Sequence, residues 1–293
     1  MTFIMDINAT MATGKSIRIY LPTGSVNGIR HAEIANWTGQ AISCPRSEIK
    51  SLNEWDEVSS PGVYFLFGAD DGQHQTVYIG EAENVRDRIK NHVINKDFWN
   101  EVVCITNKDE SLTKSHVKYL EAILIEQAIN VNRYQIQNSV KPKRPTLPRA
   151  ERDSMDEFST YIGILLGVLG HKLLEPYVNQ QSGLNEETSA TKLQLLKKHA
   201  YGNLVSDGFL VYKGSEMAVD SVKSLQSYNE VLRQRFIEEG KVVQRDKKFI
   251  FTQDTLFSSP SSAASVLLGS SRNGLDVWKN SEGKSLNEIE ISQ

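Results

Sequence analysis

The chain has 293 residues, of which 39% are hydrophobic and 24% charged, and its net charge is −3. That length allows two domains. The charge excludes a uniformly basic nucleic-acid binder, so any grip on phosphates has to come from local clusters of Lys and Arg. Two cysteines, Cys44 and Cys104, are too few for a disulfide framework and lack metal-ligand spacing. The most apolar run, 161–170, falls well short of the roughly 20 residues a spanning helix needs. No basic-then-apolar leader opens the chain. The expectation is a soluble protein of the reducing cytoplasm with no membrane partner.

Residues 1–13 are small and polar and expected to fray. Ile17, Ile19 and Leu21 alternate with polar residues, the period of a half-buried strand, and Pro22-Thr23-Gly24 ends it. Further short strands are expected over 28–44 and a short helix over 46–52, giving a small β-rich N-terminal module, 1–52. Its basic residues Arg18, Arg30, Arg46 and Lys50 are scattered; they touch DNA or simply face water.

The stretch from 61 to 132 organises the rest. Val63–Phe67 and 76–79 are β-rich runs split by the turn-forming residues 69–73, hence a hairpin. Val85, Ile89 and Val93 recur every four residues, a helical stripe. A short buried strand follows at 102–105. The segment 115–129 reads as a helix, with Thr113 or Ser115 available as its cap. This second domain is expected over 53–140. A basic, proline-punctuated linker carrying Lys141, Lys143 and Arg144 then leads into an apolar helix over 154–175, so 141–200 reads as linker and helical connector. A loop is expected at 183–189. In the last region, 201–293, the pattern gives a strand near 207–215, a helix over 221–238 and a strand over 248–251. A helix follows from 258 to 269, with Pro260 in its first turn and Gly269 at its end, and 273–279 reads as a turn into a strand.

Hydrolysis of a phosphodiester needs a positioned water, an acceptor for its proton and positive charge on the phosphoryl oxygens. The 61–132 segment carries candidates for each. Glu121 is a carboxylate suited to one Mg²⁺ or Mn²⁺ whose other positions stay with water and phosphate. Arg88 offers a planar cationic fork for phosphate oxygens. Tyr64 and Tyr78 lie on the paired strands, and His92, one helical turn after Arg88, shares its face. Taken singly, a strand tyrosine is most often core and a helical histidine most often exposed. Basic residues on the two helices, Arg86, Lys90, Lys114 and Lys118, are candidate DNA contacts, as is the strap formed by Lys141, Lys143 and Arg144.

In their order, these residues resemble the GIY-YIG nuclease superfamily. Gly62-Val63-Tyr64 matches its first signature and Tyr78-Ile79-Gly80 its second. Asn84 and Arg88 match the polar residues that follow, and Glu121 heads the Glu-x-x-Leu-Ile pattern. The resemblance implies an α+β fold whose core is a three-stranded antiparallel sheet flanked by helices. It also implies that the tyrosines, the arginine and the glutamate meet on one concave face, with Glu121 as metal ligand. The histidine four residues after the arginine resembles the restriction-endonuclease branch, which adds His92 to the site and a late asparagine, Asn132 or Asn130. One departure stands out: excision-repair relatives carry a lysine after the second signature, where this chain has Glu81. The segments 259–264 and 273–279 resemble a domain of unknown function found behind such nucleases, and also the RAMA module. That resemblance implies a C-terminal accessory or targeting domain, α+β, with Trp278 as core anchor or base-stacking platform. The resulting expectation is a metal-dependent DNA endonuclease of restriction or phage defence, dimeric if it makes double-strand breaks. A weakened core acting as DNA-binding adaptor and an RNA-cleaving nuclease are the alternatives.

Overall fold

The structure is a computed structural model that describes residues 14–68, 75–176, 192–195, 198–222 and 225–291. The expectations for 1–13, for the turn at 69–73 and for the loop at 183–189 lie outside those residues. The chain is α+β and divides into two units, Met1–Glu175 and Pro176–Gln293.

The first unit is built on one seven-stranded sheet. Its strands are β1 (Ile17–Tyr20), β2 (Arg30–Ile34), β3 (Gly39–Pro45), β4 (Gly62–Gly68), β5 (Thr76–Ala82), β6 (Trp99–Asn107) and β7 (Gln135–Ile136). They are ordered β1-β2-β3-β6-β4-β5-β7. All pairs are antiparallel except β5 with β7. The expected hairpin is β4–β5, with Tyr64 opposite Gly80 and Leu66 opposite Tyr78. The N-terminal strands do not form a module of their own. Ala41, Ile42, Ser43 and Cys44 are buried on both faces of β3, and such a strand needs a neighbour on each side. β3 finds one in β6, pairing from Gly39 with Asn107 to Pro45 with Glu101. The expected half-buried face of β1 is present in part: β1 is an edge strand in which Ile17 is half-buried against the core while Ile19 is exposed. The expected helix at 46–52 is a 3-10 helix, Arg46–Glu54.

Alternation along β4 and β5 assigns side chains to two cores. Val63, Phe65, Phe67, Val77 and Ile79 face α2 (Lys114–Val131) and α3 (Arg149–Val168), while Tyr64, Leu66 and Tyr78 face α1 (Val85–Asn95). Caps fix the helix starts: Asn84 accepts from the Asp87 N–H, and Thr113 forms a capping box with His116. α3 ends before the expected 175 because Gly170 takes a positive φ of 101° and the Gly170 and His171 N–H groups turn back onto Gly167 and Leu166. That helix packs on α2 and belongs to the first unit rather than to a connector.

Two of the scattered arginines are structural. Arg30 pairs with Glu101 at 2.5 Å and donates to Ser43 and to the Leu169 carbonyl. Burial works against the Glu101 charge, but His171, Ser43 and Arg30 overcome it and hold its pKa down to about 2. Arg46 donates to the carbonyls of Val93, Lys96 and Trp99 and stacks on the Trp99 ring.

The second unit has a five-stranded sheet ordered β14-β10-β9-β8-β15 and a three-stranded sheet ordered β11-β13-β12. Their strands are β8 (Leu193–Leu195), β9 (Tyr201–Val205), β10 (Gly208–Val211), β11 (Glu216–Met217), β12 (Val242–Arg245), β13 (Lys248–Phe251), β14 (Thr255–Phe257) and β15 (Trp278–Lys279). The helices are α4 (Ser227–Glu238), α5 (Pro260–Leu268), α6 (Gly274–Val277) and α7 (Leu286–Ile291). α5 starts at the Ser259 cap with Pro260 in its first turn and ends at Gly269, φ 66°. The expected turn into a strand at 273–279 is one helical turn, α6, followed by the two-residue β15. The expected helix at 221–238 begins at Ser227.

Candidate functional site

Four of the five expected catalytic side chains converge on the α1 face of the sheet. Gly80 is what lets them meet. A Cβ there would lie 2.3 Å from the Tyr64 hydroxyl oxygen, so only glycine leaves room for the phenol to cross the neighbouring strand. Gly62 is needed for close approach to the other neighbouring strand, β6, where a Cβ would sit 2.3 Å from the Ile105 carbonyl oxygen and 3.1 Å from the Val85 side chain. The glycines of both motifs are therefore packing requirements of the hairpin.

Tyr64 is 0% exposed, and its hydroxyl lies 2.7 Å from His92 Nε2. Arg88 Nε donates to the same hydroxyl at 3.4 Å, and its guanidinium also bonds Tyr78. The ring centroids of Tyr64 and Tyr78 are 6.3 Å apart, and each lies 5.4 Å from that of His92. Burial pushes the Tyr64 phenol up, and Tyr78 adds to the effect. Burial likewise carries the His92 pKa down to about 4, helped by the charges of Arg88 and Lys96. His92 is thus a neutral imidazole, and Nε2 accepts from the Tyr64 hydroxyl. Tyr78 is half-buried and Arg88 exposed, so these two present the cluster to water.

Glu121 arrives from the other face. On α2 it shares the stripe of Val117, Leu124 and Ala128 that packs toward the sheet. Glu81 projects to the same side of β5 as Val77 and Ile79. Burial and the nearby Glu81 charge raise the Glu121 pKa to about 7, against the opposing pull of Arg88 and Lys118. Glu121 makes no hydrogen bond to either phenol or to Arg88 among the described residues; it interacts with Tyr64 and Arg88 through its charge.

The expected DNA contacts divide by partner. Arg86 is taken up inside the fold, donating to the Trp55 carbonyl at 2.7 Å and to Asp56. Lys90, Lys114 and Arg144 pair with Asp87, Glu83 and Glu126. Lys118, Lys141 and Lys143 are exposed and make no ion pair among the described residues. Asn132 caps the end of α2 in the left-handed region, φ 55°. It stands eleven residues beyond Glu121, about 16 Å along the helix axis, and Asn130 is exposed near the same end. Neither reaches the cluster.

An asparagine that the sequence reading missed does lie beside it. Asn138 Oδ1 accepts from the Ile79 N–H at 3.0 Å, and its Nδ2 donates to the Ile79 carbonyl at 2.7 Å. It continues the pairing of β7 and holds the outer edge of the second motif. Nothing in its local sequence signals that role. Lys96 was also missed. It follows Arg88 and His92 at the same four-residue spacing, and its ammonium lies 4.3 Å from the Tyr78 ring centroid.

In the second unit the two segments singled out in the sequence lock together. Trp278 is 0% exposed, and its indole N–H donates to the Pro260 carbonyl at 3.0 Å. A Cβ on Gly274 would come within 2.2 Å of the Pro260 backbone, and the Gly274 N–H donates to Ser261. Trp278 is a core anchor and cannot stack on a base. Residues 191–290 match the family model of DUF4357, a domain of unknown function. That match is confined to the C-terminal third. No curated protein and no solved structure matches the chain. Outside the DUF4357-matching region the cluster therefore stands on its own geometry. Among the described residues no helix is long and apolar enough to cross a membrane.

Proposed function

We propose that the first unit is a divalent-metal-dependent endonuclease of the GIY-YIG type, hydrolysing DNA phosphodiesters. The observation that carries this reading is the convergence of Tyr64, Tyr78, Arg88 and His92 about one spot, with two of them open to solvent.

The metal expected from the family fits the carboxylates present. Mg²⁺ takes oxygen ligands and keeps several waters, and Glu121 supplies a half-buried carboxylate beside a second one, Glu81. No trio of His, Cys, Asp or Glu gathers among the described residues, so the fit is to an ion that shares its sphere with water and phosphate. When bound, such an ion polarises the phosphoryl oxygens and steadies the leaving oxygen.

The chain's own residues do the rest. Arg88 is the exposed guanidinium that holds the scissile phosphate. Tyr64, buried and carrying its proton, is a positioning residue that fixes Arg88 from one side and His92 from the other. Tyr78 is the solvent-facing phenol that orients the attacking water and accepts its proton as phenolate. The Arg88 guanidinium bonds the Tyr78 hydroxyl, so a cation stands beside the oxygen that takes up the proton. The C-terminal unit, by its resemblance to the RAMA module, would direct the nuclease to its target, in restriction or phage defence.

Plasmid nicking in Mg²⁺ or Mn²⁺, with an EDTA control, tests the reading. Glu121→Gln is expected to abolish cleavage and spare binding. Cleavage at the wild-type rate by that variant, or in EDTA, excludes the assignment. Glu81 supports a second reading, since a carboxylate that hinders the ionisation of Glu121 weakens the site. A protein that binds DNA and never cuts it would be the adaptor. Competition between DNA and RNA decides the polymer.

A further inference from the structure

We infer that Lys96 is a second phosphate-facing cation of this site, set over Tyr78 and held there by Arg46. The inference rests on the endonuclease reading for its polymer. Arg88, His92 and Lys96 recur every four residues, so they lie along one face of α1 and just past its end. The middle residue turns inward to Tyr64. The outer two bracket Tyr78, Arg88 at the hydroxyl and Lys96 over the ring at 4.3 Å. Neither makes an ion pair with a carboxylate among the described residues, whereas Lys90, Lys114 and Arg144 each do. Two cations without an ion-pair partner among the described residues, on either side of one half-buried phenol, match an anionic strand crossing that ring.

The fold commits a whole guanidinium to keeping Lys96 in place. Arg46 donates to the carbonyls of Val93, Lys96 and Trp99, at 3.1, 2.7 and 3.3 Å. The Lys96 N–H closes the last turn onto the His92 carbonyl. Stability alone gives little reason for this. A cation over a partly exposed ring gains little, and ordering a lysine chain costs rotamer freedom. The arrangement gains its worth when a phosphate is present to use the charge. Removal of the ammonium also relieves the electrostatic pressure on His92.

The test uses the full chain and a short fluorescent DNA duplex, with anisotropy read in EDTA across a salt series. Lys96→Ala is expected to weaken binding several-fold and to reduce the slope of log K against log salt by about 0.9, the effect of losing one phosphate contact. Lys96→Arg restores both. Unchanged affinity and slope in a folded Lys96→Ala protein overturn the inference. If the wild type cleaves and Lys96→Ala matches it in both binding and rate, this inference alone fails. If the wild type binds through Lys96 and never cleaves, the endonuclease reading alone fails. A wild type that does not bind DNA removes both.

Discussion

Replacing Glu121 by glutamine is expected to stabilise the first unit while removing the proposed metal ligand. Burial beside Glu81 carries the Glu121 pKa from 4.5 to about 7. At about 1.36 kcal/mol per tenfold change in proton affinity, that corresponds to roughly 3 kcal/mol. The carboxylate is only partly buried, so solvent screening reduces the figure to about 1–2 kcal/mol. The sign follows from proton counting. Between pH ~4.5 and ~7 the folded protein keeps a proton on Glu121 that the unfolded chain has lost, so stability falls as pH rises through that window. Glutamine has no charge to bury and escapes the fall. Thermal unfolding of wild type and Glu121→Gln in EDTA, from pH 4 to pH 8, is expected to give nearly equal values at the acid end. At pH 8 the variant should lead by about 2–8 °C, given roughly 2–4 °C per kcal/mol for a unit of this size. Mg²⁺ at a hundred times its Kd should return about 2.7 kcal/mol to the wild type and nothing to the variant. A variant less stable than wild type at pH 8, or a gain that does not change with pH, would refute the placement of this carboxylate against Glu81.

Four other outcomes follow from the same geometry. Gly80→Ala places a Cβ 2.3 Å from the Tyr64 hydroxyl oxygen; calorimetry should record a loss of about 1–3 kcal/mol, the range for overpacking, and an unchanged midpoint would mean that the phenol does not cross that strand. The His92 imidazole should titrate near 4 by NMR. Because the folded state binds fewer protons than the unfolded chain between ~6.5 and ~4, its contribution is complete above that window and lost as pH falls through it, and a midpoint near 6.5 would contradict its burial. Asn138→Ala leaves the Ile79 N–H and carbonyl without their partner, and hydrogen exchange at the Ile79 amide should accelerate at least tenfold, by about the 1.4 kcal/mol of a typical lost bond. Trp278→Ala should cost the second unit about 3–5 kcal/mol, as for other buried tryptophans, and denaturant unfolding should then show a separate early transition for 192–291.

The local signals in the sequence were sufficient for elements that depend on near neighbours. Alternation marked the β4–β5 hairpin, and four-residue recurrence marked α1. Thr113 and Ser259 marked helix starts through hydrogen bonds made within three residues, and Gly269 marked a helix end through its own backbone freedom. Even the order Tyr64, Tyr78, Arg88 was legible, because strand and helix periods place these residues on one face before any packing is known. The sequence was weakest for basic residues. Arg30, Arg46 and Arg86 look like the exposed Lys118 in composition, yet each is used inside the fold, and only the positions of distant carbonyls and carboxylates separate the two uses.

By itself, then, the sequence determined the β4–β5 hairpin, α1, α2 and α5 and the alternation of side chains along them, since these depend on periods of two and about four residues along a single chain. The tertiary structure alone decided that β1–β3 extend the sheet rather than fold apart, that Asn138 and not Asn132 borders the second motif, that Glu121 faces Glu81, and that Trp278 is sealed in a core. Each of these depends on which residues become neighbours across tens of positions. That choice is made by burying apolar surface and satisfying backbone groups over the whole unit at once, and no short window of sequence contains it.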